Sequence, residues 1–178
     1  MDKPIPKIGF IGMSFALKCR DLFRPREKIV EEVDIKPDST VLDFGCGPGS
    51  YIIPVINIVG KSGKVYALDI HPLAIKKVKS IASKLALSNV ATICSDCATQ
   101  LPSKEIDTVL LYDIFHMLGD KEKVLLELHR VLKDDGILSF SDHHMKEKDI
   151  LSAMKESTLF ELHKKNKWTY TFVKKPQA

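Results

Sequence analysis

Apolar and polar residues follow two different periods along most of this chain. Short apolar runs with the length of buried strands occupy 39–44, 63–70, 89–96, 106–113 and 136–142. Segments with helical spacing, two of them with a proline at or near their start, occupy 25–34, 50–60, 71–87, 120–133 and 146–157. Because strands that alternate with helices usually pair in parallel, this pattern predicts a parallel sheet with helices on both faces.

The C-terminal segment has another pattern. Residues 159–175 alternate between apolar and polar side chains around the sequence KKNK, which predicts an antiparallel hairpin. The lysines of this hairpin would protect an exposed sheet edge against pairing with another chain. We therefore predict an α/β fold with one Rossmann-like, doubly wound sheet of seven strands, mostly parallel, with the antiparallel hairpin at its C-terminal end.

The N-terminal segment is apolar over residues 8–17, with the sequence IGFIGMSFAL. It differs from a signal peptide because the following KCRD offers no small-residue cleavage site. The stretch is also too short to span a bilayer. We expect this segment to be buried against the rest of the protein and not to be an export signal.

Composition narrows the class of protein without changing this fold. The 178 residues, 44% hydrophobic and 28% charged, fit a single soluble globular domain. A net charge of +4 is modest for a dedicated nucleic-acid binder, so charge alone does not indicate a DNA or RNA partner. Four cysteines are too few for a disulfide scaffold, which favours a reducing compartment, and we expect a cytoplasmic protein.

The most informative stretch is VLDFGCGPGSY, residues 41–51, in which Gly45, Gly47 and Gly49 lie between a strand and a helix. In a doubly wound sheet this turn lies at the ligand crevice. Its spacing differs from the G-x-G-x-x-G of dinucleotide enzymes, and it lacks the Gly-Lys-Ser/Thr of a phosphate loop. Asp43 beside the turn would repel a pyrophosphate but can accept a hydrogen bond from an ammonium group. The loop therefore suits a cofactor that carries an amino acid.

This loop resembles the first motif of the class I S-adenosylmethionine (SAM) dependent methyltransferases, and the chain follows that family's motif order from about residue 24. Small-molecule methyltransferases related to ubiquinone and menaquinone biosynthesis are the most similar subfamilies. The resemblance implies SAM as the cofactor and a methyltransferase domain over residues 26–178. It assigns to the cofactor site these residues of the loop: Asp43, Phe44, Gly45, Cys46, Gly47 and Gly49.

Later motifs extend the implied cofactor site. YALDI resembles the second motif, in which Asp69 would bind both ribose hydroxyls and Ile70 would pack against the adenine. CSDCATQLP resembles the third, in which Asp96 would meet the adenine amino group and the N–H of Cys97 a ring nitrogen. Tyr112, at the end of the fourth strand, completes the implied contacts. LKDDG stands where the family has leucine-lysine-proline-glycine-glycine, and we expect it to be a loop.

Several of these features have an alternative explanation. The glycines also fit a tight turn without a ligand, and Asp69 also fits a helix cap at the start of DIHPLA. Cys94 and Cys97 have the spacing of a redox or metal pair, but no second pair accompanies them. We expect structural cysteines, with Cys94 facing into the sheet, and no metal.

Candidate catalytic residues follow the fourth and fifth strands, because crevices form at the carboxyl ends of parallel strands. We predict Asp113, His116 and His143 as catalytic residues, since an imidazole can deprotonate a phenol or thiol near neutral pH. Asp142 and His144 are close in sequence. Histidines and aspartates on one rim would also suit a metal, and His143 and His144 also fit loop residues without a catalytic role.

The sequence lacks motifs that particular classes of methyl acceptor require. YDIF replaces the Asn/Asp-Pro-Pro-aromatic motif of enzymes that methylate adenine amines, and the Pro-Cys nucleophile of cytosine carbon-5 enzymes is missing. We therefore expect no DNA acceptor and favour a small molecule over RNA. Only residues 1–25 are left to cover the site, and we predict that they form a lid. A segment that merely packs on the sheet is the alternative. The apolar side chains of this lid are Phe10, Met13, Phe15, Leu17 and Phe23.

The leading hypothesis is a SAM-dependent methyltransferase with a small, partly apolar acceptor, and three alternatives remain. The first is a SAM-binding partner or sensor subunit that has lost catalysis. The second is an RNA or protein methyltransferase with an open site. The third and weakest is a nicotinamide dehydrogenase. Cofactor titration and detection of S-adenosylhomocysteine distinguish these hypotheses, and the oligomeric state is left open.

Overall fold

The fold is given by a computed structural model that describes residues 4–23 and 25–175, with the side chains of all of these except Lys18, Leu22 and Phe23. The side chain of Phe23, which belongs to the predicted lid, therefore lies outside the described part of the structure. Within the described ranges, no helix has both the length and the hydrophobicity needed to cross a membrane. All four cysteines are free thiols.

One mixed sheet of seven strands organises the molecule, in the order β3-β2-β1-β4-β5-β7-β6. Strands β1 to β5 pair in parallel, and β7 pairs antiparallel with both β5 and β6. The predicted fold class is thus confirmed, including the C-terminal hairpin. The strands are β1 Thr40–Phe44, β2 Lys64–Asp69, β3 Val90–Cys94, β4 Ile106–Tyr112, β5 Leu132–Ser141, β6 Phe160–Lys165 and β7 Tyr170–Lys174.

Helices connect most of the strands, and two of them, α4 and α5, begin at a side-chain cap. The side chain of His71 accepts a hydrogen bond from Leu73 N at the start of α4, and that of Asp120 accepts one from Lys123 N at the start of α5. A 3₁₀ turn, Phe115–Met117, follows β4. The α-helices are α1 Lys7–Phe23, α2 Arg26–Val30, α3 Ile52–Val59, α4 Pro72–Lys84, α5 Lys121–Val131 and α6 Glu147–Glu156.

The core lies on both faces of the sheet, because successive side chains of a buried strand point to opposite faces. In β1, Leu42 and Phe44 pack into one apolar cluster and Val41 packs into the other. Asp43 points to the same face as Val41 and is buried, with 3% of its surface exposed. A carboxylate at the end of an otherwise apolar strand therefore enters the interior next to the glycine loop.

Two local predictions are wrong. The segment LKDDG is part of β5, because Leu132 pairs with Ile106 and the register then shifts so that Ile137 pairs with Thr108. Cys94 is exposed instead of facing into the sheet, because it is the last residue of β3 and β3 lies at the edge of the sheet.

The N-terminal apolar segment is a helix, α1, and only one of its faces is buried. Phe10 has 2% of its surface exposed, but Ile8, Ile11 and Phe15 are 84%, 55% and 70% exposed. The expectation that the whole segment is buried is therefore wrong. A helix turns its side chains to all sides, so a single helix resting on the sheet end cannot bury them all.

Candidate active site

The glycine loop is tied to the end of β2. The N–H groups of Gly45 and Cys46 both donate to Leu68 O, at 2.8 and 2.9 Å. Gly47 has a positive φ of 51°, and a Cβ atom built there would meet no other atom within 4 Å. Gly47 lines the cavity described below, so the space beside it belongs to the cavity. At this position the bare main chain can come into contact with a bound molecule.

Asp69 joins the glycine loop to the start of α4. Its Oδ2 accepts a hydrogen bond from Gly47 N at 2.8 Å, and its Oδ1 accepts one from His71 N at 2.7 Å. Burial is the main cause that raises the pKa of Asp69 above its usual value. The carboxylate thus supports the helix start, as the capping alternative proposed, and it also lines the cavity.

Asp43 carries a buried carboxylate whose Oδ2 has no hydrogen-bond partner among the described residues. Burial, and then the charge of Asp69, raise the pKa of Asp43 to about 7. Two carboxylates thus lie close together at the end of β1 and β2. Because the charge of Asp69 disfavours the ionised form of Asp43, a bound cation would be stabilised here.

The other predicted cofactor residues divide into two groups. Cys46, Ile70 and Tyr112 line the cavity together with Gly45 and Gly47, and the hydroxyl of Tyr112 is hydrogen bonded to Ser139 Oγ at 2.7 Å. The side chain of Phe44 packs in the core instead, and Gly49 packs against α4. Asp96 is exposed and Cys97 donates its thiol to Lys123 O at 3.7 Å on α5, so neither lines this cavity.

His116 and Asp142 form a hydrogen-bonded pair at the rim of the cavity. His116 Nδ1 lies 2.9 Å from Asp142 Oδ2, and the main-chain N–H of His116 donates to the same oxygen at 3.1 Å. Asp142 Oδ1 accepts from His144 N at 3.1 Å. The carboxylate is fully buried, whereas the imidazole is 26% exposed. A carboxylate on Nδ1 places the proton on that nitrogen and leaves a lone pair on Nε2.

His143 and Asp113 form a second pair. His143 Nδ1 lies 2.7 Å from Asp113 Oδ1, and Arg20 on α1 donates to Asp113 Oδ2 at 2.6 Å. Burial opposes the ionisation of Asp113, but the hydrogen bonds from His143 and the charge of Arg20 outweigh it and hold its pKa below the usual value. Asp113 also has a positive φ of 55°, a strained conformation that points its carboxylate between these two partners.

The ring of His144 lies against the rings of both His116 and His143, in tilted arrangements. The ring centroids of His116 and His144 are 4.4 Å apart, and those of His143 and His144 are 3.8 Å apart. In the part of the chain that the structure describes, no group of three or more His, Cys, Asp and Glu residues is arranged to hold a metal ion. The histidines instead pair with carboxylates and with one another.

Helix α1 forms the roof of the cavity. Phe10 stacks on His71 with ring centroids 4.3 Å apart, and His71 Nε2 lies 3.1 Å from Ile5 O. Met13 and Leu17 also line the cavity, which has a volume of about 180 Å³. Phe15, which we assigned to the lid, lies outside this lining and is exposed.

Two residues of the site are missing from the sequence-based assignment. Arg20 holds the roof to Asp113 across 93 residues of sequence, and His71 supports the other end of the roof. The position of Arg20 in KCRD, directly after the apolar residues of α1, was a signal, because a charged side chain that is partly buried needs a partner of opposite charge. His71 had no comparable signal.

A seven-stranded sheet of this order, with a glycine loop, a buried carboxylate in β1 and a partly buried one at the end of β2, defines the SAM-dependent methyltransferase fold. Residues 35–175 match the family model described as a methyltransferase domain, and the chain therefore belongs to this family of SAM-dependent enzymes. The resemblance found in the sequence is thus confirmed, and SAM is the cofactor that the family implies.

Individual relatives agree with this assignment. The chain is 32% identical to a demethylmenaquinone methyltransferase of Bacillus mycoides over 113 residues, or 62% of this chain and 47% of that protein. It is 31% identical to a protein-L-isoaspartate O-methyltransferase of Methanococcus maripaludis over 108 residues, or 61% of this chain and 49% of that protein. It thus spans about half the length of these curated relatives. A solved SAM-dependent methyltransferase of Aquifex aeolicus has a TM-score of 0.73 at 25% identity, with 83% of this chain and 87% of that chain covered.

Proposed function

We propose that this protein transfers a methyl group from SAM to a small-molecule acceptor that loses a proton, and that His116 takes up this proton. The observation that carries the proposal is the His116–Asp142 pair at the cavity rim, with Nδ1 held by a buried carboxylate. Acceptors of this class include phenols, thiols and acidic carbons. The proposal goes beyond family membership, which specifies the donor but not the acceptor.

The residues around the glycine loop fit the cofactor. The unpartnered Oδ2 of Asp43 is suited to the ammonium group of its methionine part, and the open main chain at Gly47 allows close approach. Asp69 is suited to accept hydrogen bonds from the ribose hydroxyls, which would replace the bond it now accepts from Gly47 N. When bound, SAM supplies an electrophilic methyl group on a positively charged sulfur. Apolar walls from Phe10, Met13 and other side chains would exclude water from that group.

The geometry of the pair explains how His116 would act as a base. Asp142 accepts from Nδ1 and so leaves Nε2 free to accept a proton from the acceptor. After the proton transfer, the imidazolium would lie 2.9 Å from a buried carboxylate, which stabilises its charge. The hydrogen bonds from the N–H groups of His116 and His144 keep that carboxylate in place.

The roof favours a small molecule over a protein segment as the acceptor. The demethylmenaquinone methyltransferase relative is named for a small-molecule substrate, whereas the isoaspartate relative is named for a protein substrate. A protein acceptor needs an open site, whereas here Ile5 and α1 cover the cavity. The contact of Ile5 with His71 holds one end of this cover, and the ion pair of Arg20 with Asp113 holds the other. The volume of about 180 Å³ is below the ~300 Å³ of ordinary ligand sites, so we propose that α1 is a lid that shifts to admit both molecules.

The acceptor class can be tested with SAM carrying a labelled methyl group. The protein is incubated with the small-metabolite fraction and, separately, with the protein and RNA fractions of a cell extract. We expect S-adenosylhomocysteine and label in small molecules only. Label in protein or RNA would overturn the acceptor class, and SAM binding without turnover in any fraction would support a subunit that has lost catalysis.

The role of His116 is tested with His116→Gln once an acceptor fraction is known. We expect turnover to fall by about 10²–10⁴-fold with SAM affinity unchanged, because the general base is lost. His163→Gln on the exposed strand β6 is the matched control and should leave turnover unchanged. Full turnover in His116→Gln would show that the acceptor needs no base from this residue.

A further inference from the structure

We propose that the outer side of α1, together with α4, docks on the surface of an anionic lipid bilayer. We call this surface the α1–α4 face. Its members are an apolar stripe on α1 and the lysines beside it: Ile8, Ile11, Phe15, Lys7, Lys76, Lys77 and Lys84. The inference concerns a surface outside the active-site cavity and does not depend on the proposed acceptor.

The apolar stripe is unusual because it faces solvent. Ile8, Ile11 and Phe15 are 84%, 55% and 70% exposed, and their spacing of three and four residues places them on one side of the helix. The opposite side of α1 carries Phe10 and Met13, which line the cavity. Helix α1 is therefore apolar on two sides, and the active site accounts for only one of them.

The charges on the α4 side of the stripe all have one sign, whereas Asp21, Arg26 and Glu27 lie on the other side of Phe15. A groove of about 630 Å³ separates α1 from α4, and its charged lining residues are Lys7, Lys76, Lys77 and Lys84. No acidic residue occurs in the sequence over 4–20 or over 70–95, although the whole chain has 23 of them. Exposed isoleucine and phenylalanine flanked by lysines is the pattern of a helix that lies in the interface of an anionic membrane.

A bilayer fits this face better than a protein does. A second copy of the chain in a symmetric contact would bring the same lysines against one another, which is unfavourable. An acidic peptide in the groove would leave Ile8 uncovered, because Ile8 is not part of the groove lining. A lipid surface can cover all three apolar side chains at once, while the lysines extend to the headgroups.

The test is flotation of the full-length protein with two kinds of vesicle, phosphatidylcholine alone and phosphatidylcholine mixed with phosphatidylserine. We expect binding to the mixed vesicles, much weaker binding to the neutral ones, and loss of binding at high salt. Phe15→Ser should lower the partition coefficient by about tenfold, because a buried aromatic ring is lost. Lys76→Glu combined with Lys77→Glu should lower it by at least about fivefold for each lysine.

Matched controls come from other helices. Leu126→Ser removes a side chain on α5 that is 51% exposed, and Lys148→Glu with Lys155→Glu makes the same charge change on α6. These variants should bind as the wild type does. Absence of binding to anionic vesicles overturns the proposal, as does binding that the α1–α4 variants leave unchanged. A concentration-dependent dimer that Phe15→Ser dissociates, without lipid binding, would assign the stripe to self-association and would also overturn it.

Discussion

The pKa values of buried carboxylates shift in opposite directions on the two sides of the cavity. Asp43, on the glycine-loop side, lies near another carboxylate, and burial with that neighbour raises its pKa to about 7. Asp113, on the histidine side, is also largely buried, but His143 and Arg20 hold its pKa below the usual value. The hydrogen bonds from His143 and the charge of Arg20 cause the difference. The loop side can therefore accept a positive charge from a ligand, whereas on the histidine side Arg20 already supplies one.

The largest effect is expected from Gly47→Val, which fills the space that the loop leaves for the cofactor. We expect the Kd for SAM, measured by calorimetry, to rise by at least about 1,000-fold, or ~4 kcal/mol. Gly60→Val is a matched control, because Gly60 also has a positive φ and open space around its Cβ position but lies at the end of α3. Equal loss of affinity in both variants would show that strain, and not contact with the cofactor, causes the effect.

Asp43 should make the stability of the ligand-free protein depend on pH. The folded state keeps its proton up to about pH 7, whereas the unfolded chain releases it near pH ~4, so the free energy of unfolding falls as pH rises across this window. Asp43→Asn should remove this loss. The free energy of unfolding of the variant minus that of the wild type should therefore be about 2–4 kcal/mol higher at pH 8 than at pH 4. Urea unfolding at several pH values measures the difference, and a constant difference would contradict the raised pKa.

Asp69→Ala should weaken SAM binding by about 2 kcal/mol, roughly 30-fold, because a charged hydrogen-bond acceptor is lost. Asp96→Ala is the informative comparison, since the third motif assigns Asp96 to the adenine although it lies outside the cavity lining. A comparable loss for Asp96→Ala would extend the cofactor site beyond the cavity. Unchanged affinity for Asp69→Ala would contradict the assignment of Asp69 itself.

The smallest effect is expected from His143→Gln. We expect His143 to position Asp113 and not to act as the base, so turnover should fall by less than about tenfold, compared with the far larger loss for His116→Gln. Asp113 keeps its ion pair with Arg20 in this variant, and the roof should stay attached. If His143→Gln lost as much turnover as His116→Gln, the roles of the two histidines would have to be exchanged.

Local features of the sequence predicted the sheet and the loop side of the site. Strand and helix periods depend on residues a few positions apart, and so the order of elements and the C-terminal hairpin could be predicted and are confirmed. The combination of Gly47 with Asp43 is likewise contained in one short segment. Its chemistry, an open main chain beside an acid, needs no knowledge of distant residues.

Only the tertiary structure decided which partners meet across the sheet. Three histidines and two aspartates follow β4 and β5, and the sequence did not show that His116 pairs with Asp142 and His143 with Asp113. These pairs are 26 and 30 residues apart, and their geometry depends on how the strand ends lie side by side. Helix α1 depended on the tertiary structure in the same way, because apolar residues on two of its sides gave no preference for the side that faces the cavity.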